Sequence, residues 1–176
     1  MSSIDKDGWI QTYTGKQFYP LSPRAQDVDI RDIAHALSMQ CRFNGHCKIY
    51  YSVADHSVRV SHAVPAEHAL WGLLHDAAEA YLTDLPRPVK KLMPTFEAME
   101  DQLLDFLLKQ FGLSMPMPHP VQVADETLLA TEARDVMAPP PADWQLRYGP
   151  LEKKIQPLSQ ADAEAAFLKR FDELSP

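Results

Sequence analysis

The residues best suited to chemistry stand side by side. His75 and Asp76 interrupt an apolar stretch, Leu73-Leu74-His75-Asp76-Ala77-Ala78-Glu79. Burying an imidazole and a carboxylate without partners is costly, and a divalent cation compensates both at once. Imidazole nitrogen with carboxylate oxygen suits zinc, manganese, iron or cobalt. Taken alone, the pair is more simply read as a satisfied histidine beside a solvent-facing aspartate. Its surroundings favour the metal. Glu79 falls one helical turn after His75, on the same face, where a carboxylate orients or deprotonates an attacking water. Asp84 follows at the exit, in Thr83-Asp84. An acid replaces the second histidine of the zinc-peptidase H-E-x-x-H pattern, so the remaining ligands must come from elsewhere.

Two neighbouring segments offer them. His56 sits in Val53-Ala54-Asp55-His56-Ser57-Val58, and Asp125 is level with Val121 and Leu128 on an inward-facing stripe. Upstream, Arg42-Phe43-Asn44-Gly45-His46 is a short aromatic and polar segment with a tight-turn dipeptide, as a binding loop would be. Arg42 offers a planar fork to phosphate oxygens, or is a surface arginine. His46 is a substrate contact or a turn residue with equal warrant. Lys90, Lys91, Arg87 and Lys48 either reach a phosphate tail or form a solvated face. His35 reads as a core or boundary residue, His62, His68 and His119 as surface residues, and Trp71 as core. Glu132, Arg134 and Asp135 either support the site or form an ion-pair face.

These residues need helices to hold them. Ile30, Ile33, Ala34 and Leu37 recur at helical spacing up to about Gln40, with Asp27 or Asp29 as N-cap. A second helix is expected from near Ser52 to before Pro65. A third runs from about Ala66 to Leu82, burying Leu70, Leu73, Leu74, Ala77 and Tyr81, and ends at the Thr83–Pro88 break. A fourth begins near Pro94, with Phe96, Met99, Leu103, Phe106, Leu107 and Gln110 as its stripe and Gly112 closing it. A fifth spans about Pro120 to Met137, before Pro139-Pro140-Pro141. A last helix starts at Ser159, with Asp162 in a capping arrangement and Ala163, Ala166, Phe167 and Phe171 inward. Only residues 8–20, around Thr14-Gly15, alternate like a small hairpin. The expected class is all-α, a compact helical bundle with short N-terminal hairpin-like segments, as one domain over residues 1–176.

Composition agrees with a globular enzyme. The chain has 176 residues, 45% hydrophobic and 23% charged, which is one domain's worth. A net charge of -7 argues against a nucleic-acid partner. Two cysteines, Cys41 and Cys47, are too few for a zinc ribbon and read as free thiols. The start, MSSIDKDGWIQ, lacks the apolar core of a secretory leader. No apolar run approaches the ~20 residues of a membrane span. A cytoplasmic protein of a bacterial cell, encoded by the host or by a phage, is the expectation.

Three blocks, VADHSV, LLHDAAEAYLTDLPRPVK and VADETLLATEARD, resemble in order the signature of the HD-domain metal-dependent phosphohydrolase superfamily: a His, an adjacent His-Asp, and a distant Asp, all on helices. The resemblance covers about residues 30–137. It is strongest to the small bacterial deoxynucleoside 5'-nucleotidases and the viral dATP triphosphohydrolases. It implies His56, His75, Asp76 and Asp125 as metal ligands, with cobalt, zinc or manganese as the ion and magnesium admissible for the phosphates. It implies Glu79 and Asp84 as the acids that position water and protonate the leaving group. Arg42 falls where the relatives bind phosphate, and Phe43 stands where they carry a Trp. With His46 and Lys90, these are the expected substrate contacts. The implied reaction is deoxynucleotide hydrolysis in a homo-oligomer, with triphosphate release from a dNTP favoured over orthophosphate release from a dNMP. A non-catalytic nucleotide sensor is the lesser alternative, because no ligand or acid is missing.

Overall fold

The computed structural model describes residues 8–175. Residues 1–7, which carry most of the expectation about a leader, lie outside the described residues, as does residue 176 of the expected domain.

The described chain is mostly helical. Its strands, β1 (Ile10–Gln11) and β2 (Gln17–Phe18), pair antiparallel as the expected hairpin. Buried Asp32 ties this hairpin to the bundle by accepting from Thr14 N and Thr14 Oγ1 at 2.6 and 2.9 Å. Helix α1 (Ile30–Met39) takes Asp29 as its N-cap, whose carboxylate accepts from Arg31 N. Of the two candidates, Asp27 instead pairs with Arg24.

Helix α2 (Val53–Ala63) is capped by Ser52, which accepts from Asp55 N. Val53 to Val58 are buried without interruption, and Val60 and Ser61 follow. A helix buried nearly all round must lie at the centre of the fold. Its polar groups are matched. Asp55 holds Arg59 and accepts from Leu158 N, and Ser61 donates to Ala69 O and accepts from Arg170 Nε. Helix α8 (Gln160–Leu174), started by Ser159 and Asp162 as expected, packs across α1, α2 and α3 (Ala69–Leu74). Ile33, Leu37, Leu73, Leu74, Leu103, Leu107, Leu128 and Phe167 form the shared core. Where α2 and α3 cross, Gly72 approaches closely. A Cβ there would sit 3.2 Å from the Ser61 backbone, so a side chain would push the two helices apart.

The single helix expected over Ala66–Leu82 is not continuous. A 3-10 turn (Ala66–His68) leads into α3, which stops at Leu74, and α4 (Glu79–Leu82) resumes after the His75–Ala78 segment. Ala77, Glu79, Ala80 and Tyr81 donate to carbonyls three residues back rather than four, the tighter pattern common at functional turns. The His75 side chain contributes: its Nδ1 bonds Gly72 O, the carbonyl that a continuing α-helix offers to Asp76 N–H. The Thr83–Pro88 break also holds a short helix, α5 (Arg87–Lys90). Helices α6 (Pro94–Gln110) and α7 (His119–Asp135) stand as expected, except that Gln110 faces solvent. Gly112, at φ +74, follows the end of α6. No described helix is long and apolar enough to cross a membrane.

Candidate metal centre

The residues that gather beside a large cleft, which Asp76 and Asp125 line, come from three elements. His56 projects from the middle of α2, His75 and Asp76 from the tightened turn after α3, and Asp125 from α7. His56 Nε2 lies 3.2 Å from His75 Nε2 and 3.2 Å from Asp125 Oδ1. Asp76 Oδ2 lies 3.1 Å from His75 Nε2 and 3.9 Å from His56 Nε2. Ligand atoms of His56, His75 and Asp125 all fall within 4.8 Å of one another. All four expected ligands are therefore brought together.

The outer nitrogens decide what the inner ones can do. His75 Nδ1 is 2.9 Å from Gly72 O, which only accepts, so it carries a proton. His56 Nδ1 is 2.6 Å from a Glu132 oxygen and donates to that carboxylate. In the neutral rings both Nε2 atoms then present lone pairs to each other and to two carboxylates. Such an array can hold a cation. Fixing a ligand histidine by a carbonyl or carboxylate behind it is how proteins orient metal sites.

The charges agree. Burial would raise Asp76, but His75, His56 and Arg42 hold it below the ordinary carboxylate range. Burial likewise opposes the ionisation of Asp125 and Glu132, and the same cationic and histidine neighbours outweigh it. Three anions, Glu132 fully buried and Asp76 and Asp125 partly so, face one partly buried cation, Arg42. The deficit of two is what a divalent ion supplies. This donor set of two imidazoles and two carboxylates fits zinc, cobalt or manganese.

A proton takes the cation's place in the metal-free protein. Burial and Arg42 push the His56 pKa down, but Glu132 and Asp125 more than offset them and raise it to about 9. Metal must displace that proton. Affinity for Mn2+ is expected to fall about tenfold for each pH unit below 9 and to level off above it. Calorimetric titration of the metal-free protein between pH 6 and 8 reads this slope, and a flat affinity across that range contradicts the role given to His56.

Glu132 is the residue that the sequence reading left undecided. It is fully buried, and besides His56 it accepts from Arg42 Nε and Nη2 at 3.0 and 2.9 Å. One carboxylate thus holds both a candidate metal ligand and the candidate phosphate arginine. Arg134 and Asp135, by contrast, form the alternative ion pair, at 2.7 Å. Arg42 opens a loop closed at its base by the Cys41–Ser52 bridge and the Arg42 N to Tyr51 O bond. Its Nη1 lies 3.8 Å from Asp76. Cys41 and Cys47, in this loop, are free.

A second group lies beside the first. Glu79, Asp84 and Glu100 bring carboxylate oxygens within 4.8 Å of one another. The Lys90 ammonium sits among them, 2.7 Å from Asp84 and 2.9 Å from Glu100. Lys90 is therefore already engaged, and Glu100 is a partner that the sequence reading did not anticipate. Burial, with the charges of Asp76 and Asp84, raises the Glu79 pKa well above the ordinary carboxyl value, so Glu79 tends to keep its proton. The cleft measures about 1090 Å³, and Arg42, Phe43, His46, Asp84, Arg87 and Trp144 line it along with these groups. Among the remaining histidines, His35 stacks on Tyr13 and pairs with Glu164, while His62 and His119 are exposed and His68 is half-buried. Trp71 is core, its Nε1 donating to Ser114 O.

No family model matches the chain. The Escherichia coli protein YfdR is 40% identical over 170 residues, covering 95% of this chain and 96% of that protein. The chain belongs to the YfdR family. A Rhodobacter capsulatus protein is 33% identical over 139 residues, covering 73% of this chain and 71% of its own length. Both relatives are named as uncharacterized.

Proposed function

We propose that the chain is a metal-dependent phosphohydrolase of the HD-domain type, acting on deoxynucleotides at the phosphorus that bears the 5'-oxygen. The observation that carries this reading is the convergence of two outward-tethered histidines with Asp76 and Asp125 at the floor of a cleft that also holds Arg42. When bound, the cation neutralises phosphate charge and lowers the pKa of water. The protein supplies the rest. Arg42, held by Glu132, leaves Nη1 facing the cleft floor for a phosphate oxygen. Asp84 at the mouth orients the water that adds to phosphorus. The bond from phosphorus to the 5'-oxygen breaks, and Glu79, which keeps its proton, gives it to the departing oxygen.

Two substrates fit this scheme. Release of triphosphate from a dNTP, the first reading, needs cations for the β and γ phosphates, and Arg87 lines the cleft for that purpose. Release of orthophosphate from a dNMP is favoured by the engagement of Lys90 with Asp84 and Glu100, which removes one cation from the tail. Incubation with Mn2+, Co2+ or Zn2+ and a panel of dNMPs and dNTPs, followed by ion-exchange separation, distinguishes them. Triphosphate or orthophosphate is expected to accumulate with one metal at least. Tight nucleotide binding without turnover under every metal would instead make the chain a sensor and sink the enzymatic reading.

A further inference from the structure

The cleft is not polar throughout. Phe43, Leu129, Trp144 and Leu146 line it together with the polar groups. Phe43 and Trp144 face each other with ring centroids 6.1 Å apart and planes tilted by 59°. Each ring is brought there by unusual backbone. Phe43 has φ +54, in the left-handed region that non-glycine residues avoid. Such conformations persist where surrounding structure over-determines them, and they cluster at ligand clamps. Arg42 packs its guanidinium over the Phe43 ring at 5.4 Å, which sets the ring beside the candidate phosphate arginine.

Trp144 arrives from the connection between α7 and α8. The far end of that connection is fastened to α7. Arg134 donates to Leu151 O and Lys153 O, Thr131 accepts from Leu151 N, and Asp135 accepts from Ile155 N. Beside Trp144, Gln145 has φ +53 and donates its N–H to Asp143. Despite this anchoring, Trp144 stays 38% exposed, unusual for the largest apolar side chain.

We infer that Phe43 and Trp144 form a subsite for the flat heteroaromatic ring of the substrate, and that Trp144 sets how strongly the protein prefers phosphate esters bearing such a ring. The inference rests on the phosphohydrolase reading of the same cleft. A ligand with an anionic end and a planar apolar end matches a cleft lined by Arg42 and by these apolar side chains. A tilted pair of rings accepts a third ring by edge and face contacts, and stacking of this kind tolerates many bases.

Two measurements test it. The first compares kcat/KM for a deoxynucleoside 5'-monophosphate with that for 2-deoxyribose 5-phosphate, which lacks the ring. In Trp144→Ala the ratio of the two is expected to drop about 5- to 150-fold, and Trp144→Phe is expected to restore most of it. The second titrates the metal-free protein with deoxyadenosine, which carries no phosphate, and follows tryptophan fluorescence. Quenching is expected in the wild type and its loss in Trp144→Phe, since Trp71 is buried in the core and Trp9 is not among the residues lining the cleft. An unchanged ratio in a folded Trp144→Ala protein overturns the subsite. If neither ester is hydrolysed, the phosphohydrolase reading fails on its own, and the deoxyadenosine titration still decides the subsite: quenching assigned to Trp144 supports it, and no quenching overturns it.

Discussion

His75→Ala is expected to yield a folded protein that no longer retains a divalent cation and whose turnover is lower by roughly 10³-fold or more, because several kcal/mol of charge stabilisation leave with the ion. The size of the effect follows from how the site is assembled. His75 Nε2 faces both His56 and Asp76, and its Nδ1 is committed to Gly72 O, so no rotation of a neighbour replaces it. His75 is buried, and its removal also leaves a hole. Asp125→Ala separates the two effects. Its side chain is 34% exposed, so the fold should tolerate the change while metal retention and turnover fall together. Parallel measurement of bound metal, turnover and circular dichroism checks this. Full activity in either folded variant would remove that residue from the ligand set.

Glu132→Ala is expected to have the largest effect on stability. The carboxylate is fully buried and bonds to His56 on one side and to the Arg42 fork on the other. Its loss leaves Arg42 Nε and the His56 Nδ1 donor without their acceptor, while Arg42 Nη1 keeps its distant contact with Asp76. Removing one partner of a buried pair costs about 3–5 kcal/mol, which for a domain of this size lowers Tm by roughly 6–20 °C. Glu132→Gln keeps an acceptor but drops the charge, and metal affinity is expected to weaken about 10- to 100-fold with a smaller loss of stability. The pH dependence has a defined sign. Glu132 is held below its ordinary value, so its contribution is complete at neutral pH and is lost as pH falls through its folded-state value. The glutamine variant should therefore lose less stability on acidification than the wild type. A Glu132→Ala protein that melts within a degree or two of the wild type contradicts this role.

The residue types and helical spacings pointed to the four candidate ligands because each sits on an amphipathic segment where a polar group needs explaining. His56 among Val53, Ala54 and Val58 is the clearest case. Glu132 was harder, because its partners lie 76 and 90 residues away in the chain. A usable signal was present all the same: Glu132 follows Asp125 by two helical turns and so shares its inward face. The pairing of Lys90 with Glu100 depends on how α5 meets α6, and no periodicity encodes that. The tightening at His75–Ala78 was hidden for a related reason. Over four residues, three and 3.6 residues per turn bury the same side chains, and Ala77 and Tyr81 are buried as a continuous helix would have them. Trp144 lies in a segment without regular structure, where only tertiary contacts give a side chain its direction.

Metal content of the purified protein tests the central claim most directly. After loading with Mn2+ and exhaustive dialysis, wild-type protein is predicted to retain about one ion per chain, and His75→Ala protein prepared in parallel none. Equal retention by both proteins, or none by the wild type, would contradict a metal centre at His56, His75, Asp76 and Asp125.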